Sequence, residues 1–294
     1  HVSTSIFSLK FVTFIVTIVL GRRRKAVQSM QNIEEAITIH YTKMSKTDKK
    51  IFENIMADPP KFVGLSIHDM ANRFDVSSPT VLRAIKKIGY SGYPEFKLAL
   101  DAFVTEKKQE ETPVKHSLFQ EIIGTYERSF AKLKKENMEK DLIEVVEWMM
   151  DSQDVKCVGF DNTGLAAQQL VYSLYSQGVF YEAITTETQM HYLSQTIKKD
   201  WVYIIYSVTG MALYSELIEA ANSAGAKTIL ITMNKDAEIA DQATKTFVLP
   251  AASTYLRDDG SLRQLDVRFE LFLFSEIISY YYNWVSDQRE QMMD

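Results

Sequence analysis

Cysteine is almost missing from this chain of 294 residues: Cys157 stands alone, so no intrachain disulfide framework can form. It lies in an apolar run that reads as a buried strand, where a small core residue is favoured over a reactive thiol. Histidine is sparse, and His1, His40, His68, His116 and His191 show no metal-ligand spacing, so neither a metal nor a cofactor is expected. Proline is scarce too, and none falls between Val114 and Leu249, which leaves that stretch free for uninterrupted helices and strands. No segment repeats at a fixed period. A membrane-length apolar run is also lacking. The nearest candidate, Ile6–Leu20, is broken by Lys10 and is shorter than the roughly 20 apolar residues a span needs. Its cations, Arg22, Arg23, Arg24 and Lys25, follow the run, which is not the shape of a secretory signal. Residues 1–29 are expected to be an artefact or, as the weaker reading, a marginal anchor, and they take no part in the fold argument. A membrane partner is not expected, and a cytoplasmic location is.

The charge that is present is unevenly spread. Residues 1–29 hold five cations and no acid, residues 30–100 hold ten cations against eight acids, and the whole chain is at −5, so the remainder is strongly acidic. Any binding to a polyanion must therefore be local to the N-terminal part. The length suits about two domains. The polar run Lys107–Lys115, with Pro113, has a linker composition. The expected division is 30–107, a linker at 108–115, and 116–294.

Within 30–107 the pattern is helical, from a first helix around Ile33, Ala36, Ile37 and Tyr41 to a last one over Glu95–Lys107. The informative stretch is Ser66–Gly89. Ile67, Met70 and Ala71 give one apolar side to a first short helix. Ser77 or Ser78 can cap a second helix, and Pro79 suits its first turn. Val81, Leu82, Ile85 and Ile88 form the expected inward face. Ser77, Ser78, Thr80, Arg83, Lys86 and Lys87 remain as candidate contacts to double-stranded operator DNA, because a face of hydroxyls and cations suits phosphates and base edges in the major groove. The bland alternative is a structural helical hairpin with a solvated charged face.

From residue 116 two helices come first, then apolar runs alternate with helical ones. Strands are expected at Val155–Phe160, Val179–Ala183, Trp201–Tyr206, Lys227–Met233 and Thr246–Leu249. Helices are expected at Leu165–Gln177, Glu187–Lys198, Ala212–Ala224, near Ala237–Gln242, and over Asp266–Ser286. This alternation implies an α/β domain with a doubly wound five-stranded parallel sheet, placed after the all-α helix-turn-helix domain. In such sheets ligands sit beyond the C-terminal strand ends. Two of those ends, around Asn162, Thr163 and Gly164 and around Ser207, Thr209 and Gly210, place hydroxyls and a glycine before a helix and could cradle a phosphate. The alternative is that these hydroxyls only cap their helices. A dinucleotide fingerprint with Glu182 as ribose partner is disfavoured by the charge of Asp161, and no P-loop Gly-Lys-Ser/Thr occurs there.

From Val76 through Tyr90-Ser91-Gly92-Tyr93-Pro94-Glu95-Phe96-Lys97 the sequence resembles the N-terminal domain of RpiR-type bacterial transcriptional regulators, with Ile88 in place of the usual Leu. The second half resembles the SIS (sugar isomerase) domain of the same regulators, a flavodoxin-like sheet. The resemblance spans residues 30 to about 290. It implies a homodimeric or homotetrameric regulator of carbohydrate metabolism that senses a phosphorylated sugar and is not an enzyme. The chain departs from the family pattern at Asp161 (usually Gly), Thr163 (usually Ser), Ala212 (often a hydroxyl) and Val267-Arg268 (often Ser-Arg). Two alternatives remain at this point. One is a sugar-phosphate isomerase, whose general base would be His191, Glu187 or Glu270. The other is a regulator whose second domain only oligomerises.

Overall fold

The computed structural model describes residues 32–110, 117–251, 255–256, 262–263 and 269–293. The segment 1–29 lies outside them. The chain divides into two compact units, one of His1–Lys115 with Thr254–Arg263, the other of His116–Ser253 with Gln264–Asp294.

Unit one is built on helices α1 (Ile33–His40), α2 (Lys46–Ala57), α3 (Pro60–Val63), α4 (Ile67–Arg73), α5 (Ser78–Lys87) and α6 (Tyr93–Glu110). Their starts are locally encoded. Ser45 and Asp48 form a capping box on α2, and Ser66 and Asp69 form one on α4. The core is a fully buried cluster of Ile33, Ile37, Ile51, Phe52, Ile55, Met70, Ile85, Ile88 and Phe96. Phe52 and Tyr90 meet the Phe96 ring edge-on at 6.3 and 5.6 Å. Three details differ from the expectations. Asp58-Pro59-Pro60, which reads in the sequence as the end of the second helix, also opens the short α3, because Pro59 holds an αR backbone. On α5 Ala84 is buried, whereas Leu82 is only half-buried. Helix α6 starts at Tyr93 and runs to Glu110, into the segment read as a linker.

Unit two opens with α7 (Leu118–Leu133) and α8 (Glu139–Asp151). Then follow β1 (Asp154–Val158), α9 (Asp161–Tyr175), β2 (Glu182–Ile184), α10 (Glu187–Ser194), β3 (Trp201–Tyr206), α11 (Ser215–Ala224), β4 (Lys227–Thr232) and β5 (Lys245–Val248). Two residue pairs, β6 (Tyr255–Leu256) and β7 (Leu262–Arg263), lie antiparallel and group with unit one. Helix α12 (Phe269–Met293) closes unit two.

Strands β1 to β5 make one parallel sheet in the order β2-β1-β3-β4-β5. After their first residues β3 and β4 are buried without alternation, as expected for strands covered on both faces. Cys157 is fully buried on β1, and desolvation pushes its thiol up to about 12, which keeps it protonated and unreactive at neutral pH. The segment Ala237–Gln242, expected to be helical, is a run of four-residue turns, with Ala240 N–H on the Ala237 carbonyl and Gln242 N–H on that of Ile239. The second strand is shorter and later than Val179–Ala183, since the residues after Gly178 first carry the chain away from α9.

Candidate nucleic-acid interface and ligand site

In unit one the two short helices are joined by Phe74-Asp75-Val76, with Asp75 in left-handed backbone at φ 52°. Asp tolerates that region better than most residues do. Ser77 caps α5 by accepting from the Thr80 N–H at 3.4 Å. Its hydroxyl also meets the Thr80 hydroxyl at 2.9 Å, and Arg83 Nη2 donates to Thr80 Oγ1 at 3.4 Å. Ser77, Arg83 and Lys86 are exposed, and Ser78 and Thr80 are half-buried beside them. The structure thus brings five of the six candidates onto one surface.

Lys87 is placed differently. Its Nζ sits 2.5 Å from Asp48 Oδ2, and that carboxylate also accepts from the Ser45 N–H in the capping box of α2. Partial burial opposes ionisation of Asp48, but hydrogen bonds from Lys87 and Ser45 outweigh it and hold the carboxyl below its usual range. Lys87 therefore ties the end of α5 to the start of α2. The motif after α5 also has a structural account. The Ser91 N–H and hydroxyl both reach Glu95 Oε2, at 2.7 and 2.6 Å. Tyr93 OH and Lys97 Nζ donate to the Leu65 carbonyl, just before α4, at 2.8 and 3.2 Å. Phe96 fills the core. These residues clamp the helix pair in place.

In unit two the strand order reverses direction between β1 and β3, so their C-terminal ends form the switch-point crevice. The loop after β1 is tighter than expected. Asp161, Asn162, Thr163 and Gly164 already form the first turn of α9. A Cβ on Gly159 would lie 2.6 Å from the Thr163 carbonyl oxygen, and one on Gly164 2.8 Å from that of Gly159. Asp161 is exposed, with φ 50°. Thr163 Oγ1 accepts from the Phe160 N–H at 3.0 Å and donates back to the Phe160 carbonyl at 2.9 Å.

After β3, Ser207 is buried and its hydroxyl accepts from the Gly210 N–H at 3.1 Å. The end of β4 stitches this loop down. Thr232 Oγ1 donates to the Val208 carbonyl at 3.1 Å, and the Asn234 side-chain amide donates to that of Thr209 at 3.0 Å. The two loops meet through Phe160 and Tyr214, whose rings stack at 5.2 Å and 11°. Neither the stack nor the tether of Lys87 to Asp48 was legible in the sequence, because each joins residues far apart in the chain.

The candidate general bases scatter. His191 is exposed, with Gln195 Nε2 3.0 Å from its Nε2 and Glu216 at 3.9 Å from its Nδ1. Glu187 is an exposed first-turn residue of α10, whereas Glu270 is fully buried in the first turn of α12. Val267-Arg268 lies outside the described residues. Among the described residues no group of three His, Cys, Asp or Glu could hold a metal ion, and no helix is long and apolar enough to cross a membrane.

Residues 31–107 match the helix-turn-helix domain of the rpiR family. The HTH-type transcriptional regulator YfhH of Escherichia coli is 26% identical over 65% of this chain and 72% of its own length. The HTH-type transcriptional regulator HexR of Pseudomonas aeruginosa is 23% identical over 66% and 70% respectively. Among solved structures, the Vibrio vulnificus NanR protein complexed with ManNAc-6P aligns with a TM-score of 0.46 at 16% identity, over 88% of this chain and 98% of that one. The sugar isomerase domain of an RpiR transcription factor from Sphaerobacter thermophilus aligns with a TM-score of 0.48 at 18% identity, over 59% and 94%. With its helix pair and its clamp motif, the stretch of residues 31–107 is a helix-turn-helix domain of the rpiR family, and the chain is similar to HTH-type transcriptional regulators.

Proposed function

We propose that the protein binds operator DNA through α4 and α5 and that unit two senses a phosphorylated sugar at the C-terminal ends of β1 and β3. The observation that carries the first half is the exposed Ser77, Arg83 and Lys86, with half-buried Thr80 beside them, on a capped helix. Such a face supplies phosphate contacts from its cations and base-edge contacts from Arg83. The second half is supported by the position of Ser207, Thr209 and Gly210 at the switch point, with Asn162, Thr163 and Gly164 opening the helix across from them. Thr163 serves its own helix start, so Ser207, Thr209 and backbone N–H groups are the stronger phosphate ligands.

The protein works as a homodimer or homotetramer in the bacterial cytoplasm and controls genes of carbohydrate metabolism. An aromatic patch on unit two supports self-association: Tyr172 and Phe180 are 62% and 76% exposed, and Tyr175 packs between them at 5.5 and 5.2 Å. A contiguous exposed apolar patch marks an interaction surface.

The test has two arms. Fluorescence anisotropy should detect binding to the DNA upstream of the protein's own gene and its neighbours, weakening steeply with salt. Thermal shift should show stabilisation by a sugar phosphate beyond that given by the free sugar or inorganic phosphate. No binding to any duplex at low salt would refute the first arm. A melting temperature unmoved across a broad sugar-phosphate panel would refute the second.

A further inference from the structure

We infer that Tyr214 is a built-in competitor of the effector's phosphate: its side chain fills the gap between the two loops of the proposed cradle and has to leave before a phosphate can enter. The inference rests on the reading of unit two as a sugar-phosphate sensor, and it adds how that site is regulated. Tyr214 ends the short 3-10 turn Ala212–Tyr214 and stands immediately before α11. Its side chain does not cap that helix. Instead the ring stacks on Phe160, in the loop after β1, at 5.2 Å and 11°. Tyr214 is 3% exposed. Its hydroxyl donates to the Tyr206 carbonyl, directly before Ser207, at 3.4 Å. Burial pushes this hydroxyl up to about 12, against the pull of hydrogen bonds with Thr163 and the Phe160 backbone on the opposite side of the gap. One neutral hydroxyl therefore sits between the start of α9 and the loop after β3, where a phosphate bridging the two would have to lie.

Three features suit a contact that can be given up. The bond to Tyr206 is longer than the roughly 3.0 Å limit of a good O–H donor. The stacking partner Phe160 is only half-buried. The turn that carries Tyr214 is a single short coil with poorer hydrogen-bond geometry than the α-helix behind it, so it can rotate without unwinding Ser215–Ala224. A phosphate entering the gap brings negative charge and several acceptor oxygens to the first N–H groups of α9 and α11, which a neutral phenol does not supply. The protein then binds phosphate only as tightly as its open fraction allows. With about 0.1–10% of the molecules open, Tyr214 weakens binding by a factor of about 10–1000. It thereby sets the effector concentration at which unit two responds.

The test compares the full chain with its Tyr214→Val and Phe160→Leu variants, titrated with inorganic phosphate in a calorimeter. Tyr214→Val empties the gap and should bind phosphate at least about tenfold more tightly than the parent. Phe160→Leu breaks the stack but keeps the Tyr214 hydroxyl, and should bind phosphate more tightly than the parent by a smaller factor. If loss of the buried ring keeps Tyr214→Val from folding, which circular dichroism shows, Phe160→Leu decides alone. Phosphate binding no tighter in the folded variants than in the parent would overturn the competitor role. If a sugar phosphate still raises the melting temperature of the parent, that result leaves the sensor reading standing. No heat from phosphate in any of the three proteins, together with no melting shift across the sugar-phosphate panel, would overturn both.

Discussion

Gly210 gives the sharpest test of the loop after β3. Its φ is 58°, and a Cβ built on it would lie 2.3 Å from the Ala237 Cβ and 3.4 Å from Thr232 Oγ1. Gly178, in the same unit, has φ 75° with nothing within 4 Å of its would-be Cβ. The two glycines separate conformation from crowding. Gly178→Ala should cost only the left-handed backbone penalty, about 1–2 kcal/mol. Gly210→Ala should cost that and a further amount of about 1–3 kcal/mol for forcing a methyl into packed space. For a unit of this size the gap corresponds to roughly 2–12 °C in melting temperature. All three tryptophans, Trp148, Trp201 and Trp284, lie in unit two, so urea unfolding followed by tryptophan fluorescence reports that unit alone. Ala237→Gly removes the atom in the way, so Gly210→Ala in that background should fall back to the conformational cost, a coupling that a double-mutant cycle reads directly. Equal losses for Gly210→Ala and Gly178→Ala, with no rescue by Ala237→Gly, would refute the close packing of the loop against the turns after β4.

Arg83→Ala should weaken operator binding by about 1–3 kcal/mol, a factor of roughly 5–150, without lowering the melting temperature; unchanged affinity in a gel shift would remove it from the contact surface. Lys86→Ala should lower the salt slope by about 1 per head, while Lys87→Ala should act mainly on stability, because its partner is Asp48. The Asp48 carboxyl is held below its usual range in the folded state, so its contribution to stability is present above the unfolded value and is lost as pH falls through the folded one. Circular-dichroism melts should show helical stability declining below about pH 4, with Asp48→Asn less stable at neutral pH and flatter in that acid range. Thr209→Val should leave DNA binding in place and blunt the response to the effector; a variant with a normal response would place the ligand elsewhere.

The parts of the fold that follow from local chemistry were legible in the sequence. Strand Trp201–Tyr206 is an unbroken apolar run with β-favouring residues, and it was placed residue for residue. The cap of α5 falls on Ser77, one of the two serines that the sequence offers there. What stayed hidden depends on partners distant in the chain. Ala237–Gln242 has helix-compatible residues but forms turns, because Ala237 must lie against Gly210 and the Ala240 carbonyl accepts from the Thr246 hydroxyl. Lys87 looked like one more cation on the recognition face until Asp48, on another helix, was seen to hold it. Thr163 could be read from its type as a phosphate ligand or a cap, and its bonds to Phe160 show the cap. The residue types at the two sites were visible in the sequence, but how each hydroxyl and charge is committed was not.

The grouping of Thr254–Arg263 with unit one has a consequence for the order in which the protein is made. The helices of unit one leave the ribosome first, while the two short strands that complete the unit follow only after the whole parallel sheet has been synthesised. A fragment cut after α6 therefore lacks part of the unit it is meant to isolate. Translation must pass residue 263 before either unit has all of its chain: unit one waits for β7, and unit two for α12.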